Sequence, residues 1–244
     1  EATKVLNFCV DQATEFGDLN TAVLCADRGL IESSWLQGSS EQQYWIDQLR
    51  DLSSRPEVDD TLRRYHSVHV LFREGKLALS NDDIERANSL LGRIESIESS
   101  GLPLGKKFSL ELQFEMALHQ QNQVDIQRIM KEKLDGRELN DPQTSCLLVF
   151  REAEIGLTFN DPNRVIAALE QMTKGACVFP TNRGTPMAMA RVGLAEALAK
   201  QGDLEGASKV ILDFRVDWHK PDDDLSLVQR TVALEKRLGM DSPK

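Results

Sequence analysis

Apolar positions along the chain recur at three- and four-residue spacing, in runs that stop at a Gly, Asn or Asp turn and then resume. That spacing predicts amphipathic helices, and the turns divide them into hairpins. The clearest copy is Leu194, Ala195 and Leu198, the turn Gln201-Gly202-Asp203, then Ala207 and Ile211. Looser copies turn at Gly17, Asn81, Asn122 and Asp161, with the small or branched residue at Ala22, Ala87, Ile129 and Ala168. After the first copy the interval settles near ~40 residues, a period that marks stacked helical units. No segment shows sustained apolar and polar alternation with β-branched enrichment, so the expected fold class is all-α.

Local chemistry sets the boundaries. Asp141-Pro142 and Asp161-Pro162 place a capping carboxylate before a proline at the first helical position, where its missing N–H costs nothing. Thr185-Pro186 repeats the device, Ser40 with Gln43 reads as a capping box, and Asp82 with Glu85 as an acidic version of one. With those stops, 1–16 pairs with 19–33, 58–79 with 82–98, 106–120 with 124–134, 142–159 with 162–174, and 186–201 with 204–218. An inserted helix is expected near 40–52 and a C-terminal capping helix at 225–238. The reading is a single helical-repeat domain over 1–240 with a short tail at 241–244.

Small residues recur where paired helices must cross closely: Gly75, Ala117, Gly156 and Ala195 in first helices, Ala22, Ala87, Ala168 and Ala207 in second ones. This small-then-Ala spacing across a turn resembles the tetratricopeptide repeat. In the fifth pair Leu194, Ala195, Leu198, Ala207 and Ile211 follow that family's order, with Phe214 in place of the closing Ala and Pro221 later than usual. The second pair keeps Gly75, Ala87 and Leu91, the fourth Ile155, Gly156, Phe159 and Ala168, the first Gly17, Ala22 and Ala26, and the third only Ala117. The period exceeds the family's 34 and is similar to that of helical sensor domains in large bacterial regulators. The resemblance implies a right-handed α-solenoid of about five hairpins.

The formal net charge of −10 disfavours binding to phosphate backbones, and Arg63-Arg64 and Arg183 are too isolated to make a basic patch. Cys9, Cys25, Cys146 and Cys177 form no Cys-x-x-Cys pair, so neither a zinc knuckle nor a disulfide framework is indicated. Cys9 and Cys25 can face each other across the first hairpin, but the expected state is buried reduced thiols in a cytoplasmic, reducing compartment. No stretch approaches the ~18 apolar residues of a membrane span. A start at Glu1 rather than Met reads as a mature form or as a piece of a longer protein, and the fragment is the expectation.

His66 and His69 stand three apart on one helix, with Asp59 and Asp60 upstream, and two-histidine metal ligation is geometrically open. No third ligand is in register, so the expectation is a partly exposed helix face and no metal or other cofactor. The Arg183-Gly184-Thr185 loop before a helix reads as a connection, and Asp222-Asp223-Asp224 as the acidic start of the last helix. No nucleophile, base and oxyanion donor assemble, and no phosphate loop or zinc-protease motif occurs, so an enzyme is not expected.

What remains is a groove. By the resemblance, the first helices would line a concave face with His69, Phe72, Lys76, Phe114, Leu118, Phe150, Ala153, Leu157, Met189, Val192 and Glu196. A mostly apolar set of this kind suits an amphipathic helix or a hydrophobic small molecule, or else is simply core. The expected function is a non-catalytic scaffold for a protein or peptide. The alternatives are an effector-sensing domain of a bacterial regulator and a self-association module giving homo-oligomers.

Overall fold

A computed structural model describes residues 2–36, 39–101, 107–134, 142–173, 184–217 and 226–240. Regular structure among the described residues is helical throughout. The helices are α1 (Ala2–Glu15), α2 (Leu19–Leu36), α3 (Ser39–Ser54), α4 (Asp60–Ser80), α5 (Ile84–Ser99), α6 (Lys107–His119), α7 (Gln123–Leu134), α8 (Pro142–Thr158), α9 (Pro162–Gln171), α10 (Gly184–Gln201), α11 (Leu204–Asp217) and α12 (Ser226–Leu238). Every expected helix is present, each ending within one helical turn of its expected boundary. Among the described residues no helix is long and apolar enough to cross a membrane.

One turn geometry closes α1–α2, α4–α5, α6–α7, α8–α9 and α10–α11. A left-handed residue ends each first helix: Gly17 (φ 75°), Asp82 (60°), Gln121 (52°), Asn160 (53°) or Gly202 (91°). The next residue, Asp18, Asp83, Asn122, Asp161 or Asp203, donates its N–H back to the carbonyl of Ala13, Ala78, Ala117, Gly156 or Leu198 at 2.8–3.0 Å. Its side chain then accepts the N–H of Thr21, Arg86, Asp125, Arg164 or Gly206 at 2.9–3.2 Å. A single Asp or Asn thus satisfies an orphan carbonyl of one helix and an orphan N–H of the next. The expected cap at Asp82 is corrected: Asp82 is the left-handed residue, and the cap is Asp83.

The chain groups into two compact units, Glu1–Lys133 and Leu134–Lys244, where the sequence reading draws one array over 1–240. In the first, α2 packs on α1 and α3, α3 reaches α4, and α6 rests on both members of the α4–α5 hairpin. The inserted α3 supplies Trp45, Ile46 and Leu49 to a core shared with Ala22, Val23, Ala26 and Leu30 of α2. In the second, α10 packs on α9 and α11, and α12 rests on both members of the α10–α11 hairpin. Each unit also carries a bridge between successive turns. His119 Nε2 lies 2.9 Å from Asp82 Oδ1, and Lys200 Nζ donates to Asn160 Oδ1 at 2.6 Å. His119 and Lys200 hold the same place, two residues before their own left-handed residue.

The expected close crossings are there. Ala22, Ala87, Ala168 and Ala207 are buried, and a Cβ on Gly156 would lie 2.8 Å from Val165 Cγ2 of α9. A further crossing, not anticipated, sets the Trp45 indole of α3 directly against the Cα of Gly29 on α2.

The expectation of reduced thiols is corrected at Cys9 and Cys25. The α1–α2 crossing brings their Cα atoms to 6.1 Å, within disulfide reach, and the two are joined. Cys146 is free and buried. Cys177, Asp141, Arg183 and Asp222-Asp223-Asp224 lie outside the described residues.

Candidate functional site

The eleven groove positions divide between the two units. His69, Phe72, Phe114 and Leu118 of the first unit and Ala153 and Val192 of the second are buried, with Phe114 and Val192 at 0% exposure. They are not surface that a ligand can touch, which corrects the expectation of an open apolar wall at these positions. Phe72 belongs to a core cluster with Phe108, Leu112 and Ile94. Lys76 is half-exposed and paired with Glu115 at 2.7 Å. Phe150 and Met189 are half-buried, and Phe150 packs against the core of the second unit.

Leu157 and Glu196 are different. Leu157 is 66% exposed, and the two residues line the same notch of about 180 Å³, formed by the end of α8, the start of α9 and the middle of α10. Gly156, Val165, Gly193 and Ala197 form its floor. Glu196 is fixed there by Arg230 of α12, whose Nε and Nη2 donate to its two carboxylate oxygens at 3.0 and 2.6 Å. Gly156 and Gly193 let α9 approach closely here, since a Cβ on either would press on Val165 or Leu169 at 2.8 or 3.3 Å.

A larger cavity of about 740 Å³ lies between α5, α6 and α7, lined by polar residues including Glu95, Gln113 and Arg128. Its one buried carboxylate, Glu98, accepts from the N–H of Phe108 and Ser109 and from Ser109 Oγ, at 2.8, 3.3 and 2.5 Å. That carboxylate caps α6 and is committed to the fold. The Arg63-Arg64 pair is committed too: Arg63 holds Asp60 at 2.6 Å, and Arg64 donates to the carbonyl and hydroxyl of Ser100.

The third feature overturns the expected exposed histidine face. His66 and His69 are 1% and 4% exposed, and their neighbour is Asp27 of α2 rather than Asp59 or Asp60. Asp27 Oδ1 stands 2.5 Å from His69 Nδ1 and 3.3 Å from His66 Nδ1. Arg73 Nε donates to His69 Nε2 at 3.0 Å, so Nε2 is an acceptor and the proton of a neutral His69 sits on Nδ1, facing Asp27.

Burial pushes the His69 imidazole below its usual value, against the hydrogen bond and charge of Asp27. Burial alone would raise the Asp27 carboxyl, but the two imidazoles outweigh it and hold that group well below the usual carboxylate range. Tyr65 and Phe108 wall the cluster, their rings 4.9 Å from His66 and 5.3 Å from His69.

His66 is the anomaly. Neither of its buried ring nitrogens has a well-formed hydrogen bond, although Nδ1 stands 3.3 Å from Asp27 Oδ1 and feels its charge. An unsatisfied buried polar group of this kind costs about 1–3 kcal/mol. Sequence spacing found the two histidines but not Asp27, which stands 42 positions before His69 and only meets it when α2 and α4 fold. Compared with known proteins, the chain matches no family model, no curated protein and no solved structure.

Proposed function

We propose that the chain is a binding module of stacked helical hairpins that holds a protein or peptide segment and catalyses no reaction. The supporting observation is the repeated turn. The same left-handed residue and Asp or Asn cap return along the chain, and turn-to-turn bridges at His119–Asp82 and Lys200–Asn160 link neighbouring hairpins within each unit. Repeating units joined this way are the logic of tetratricopeptide-like arrays, whose use is to present an extended surface. The contact surface in this reading is the notch at Leu157 and Glu196, which accepts an apolar side chain beside a fixed carboxylate. The Cys9–Cys25 bond weighs against the cytoplasm, since disulfides persist where the surroundings oxidise.

Affinity capture from the source cell, with wild type and Leu157→Glu side by side, tests the reading. Leu157 is exposed, so the variant is expected to keep its helical signal while losing the captured protein. Equal capture by both would remove the notch from the proposal. No captured protein, together with a rise in melting temperature on adding a small-molecule fraction, would replace it with effector sensing.

A further inference from the structure

We propose that Asp27, His66 and His69 form a binding site for one divalent transition-metal ion of the zinc class, clamping α2 to α4. The donor set is right for such an ion, two imidazoles and a carboxylate. Their ligand atoms all lie within 4.8 Å of one another. Ligands at ~2.0–2.1 Å in a tetrahedral zinc site stand about 3.3 Å apart. His66 Nδ1 and Asp27 Oδ1 already have that separation, 3.3 Å. His69 Nδ1, at 2.5 Å from the same oxygen, has to withdraw by a fraction of an ångström as its proton gives way to the ion.

The second observation is His66 itself. It is 1% exposed, its Nδ1 stands 3.3 Å from the Asp27 carboxylate, and neither ring nitrogen has a hydrogen bond. A buried imidazole in that condition calls for a missing partner. An ion placed between its Nδ1 and Asp27 supplies one. Asp27 keeps 14% side-chain exposure, so in this proposal the ion enters from the carboxylate side and takes a water there as its fourth ligand.

Arg73 opposes the site, and its response is part of the proposal. With the metal on His69 Nδ1, the His69 proton moves to Nε2, which can no longer accept from Arg73 Nε. Arg73 is half-buried, and Glu111 and Glu115 of α6 are close enough to act on its charge. The guanidinium turns toward those carboxylates when the ion enters.

The test uses the full chain, stripped with chelator and kept oxidised so that Cys9 and Cys25 stay joined. Zinc is titrated calorimetrically and cobalt by visible absorption. One ion per chain is expected, with the ligand-field bands of a four-coordinate nitrogen and oxygen site. His66→Gln and Asp27→Asn should each weaken binding by more than the 10–100-fold typical of losing a second-shell partner. His119→Gln, at the exposed histidine beside Asp82, should bind as wild type does. If the site variants do not fold, the wild-type cobalt spectrum decides alone. Aqueous-type cobalt bands, thiolate charge-transfer bands from a cysteine, or undiminished binding by folded His66→Gln would each overturn the proposal.

Discussion

At Asp161 one residue ends α8 and starts α9. Its N–H reaches the Gly156 carbonyl at 2.8 Å, and its carboxylate takes the Arg164 N–H at 3.1 Å. Asp161→Ala removes only the second bond. It should lower stability by about 1 kcal/mol, read as a shifted denaturant midpoint at constant slope, while Asp161→Asn should stay near wild type. The equivalent Asp18 adds a pH signature. Hydrogen bonds from the Thr21 hydroxyl and then the Thr21 N–H hold its carboxyl below the ordinary 3.8. A depressed folded-state value means the stabilisation is in full force above 3.8 and disappears as pH falls through the lower folded value. A carboxyl-resolved NMR titration should place the Asp18 midpoint below 3.8, and a midpoint at or above it would show that the cap does not form in solution.

At the scale of the element, Gly29 on α2 shows how a helix pair fixes its own residue choice. The Trp45 indole lies where a Cβ would go, and Trp45 is itself 1% exposed, so it has nowhere to retreat. Gly29→Ala should therefore destabilise by about 1–3 kcal/mol through overpacking, despite the better helix propensity of alanine. A melting temperature unchanged or raised would mean that α3 can slide away from α2. Helices were legible in the sequence because their signals are local: apolar spacing, Asp-Pro caps at α9, and the Gly or Asn at each turn. Which apolar face points to a ligand was not legible. Phe114 and Leu157 both read as first-helix apolar positions, yet one is fully buried and the other 66% exposed, because burial depends on which helix arrives later in the chain. Asp27 was missed for the same reason, as was Trp45 against Gly29.

At the scale of the whole molecule, each unit has hydrophobic clusters of its own. Ala22, Leu30, Trp45 and Leu49 belong to the first, and Val165, Leu169, Met172 and Leu194 to the second. The disulfide lies entirely in the first, across a separation of 16 residues. Closing a loop of that size stabilises by ~3 kcal/mol in the chain-entropy account, because it restricts the unfolded chain. Paired Cys9→Ser and Cys25→Ser changes should therefore lower the opening free energy of α1, α2 and α3 without touching α9 and α10. Native-state hydrogen exchange reads this directly, since it reports each segment's own opening. Faster exchange confined to residues 2–54 is the expected pattern. An equal loss of protection in Val165–Met172 and Leu194–Ile211 would instead mean that the chain opens as one cooperative body. The staple at its N-terminal hairpin would then govern the stability of all of it, the Leu157 notch included.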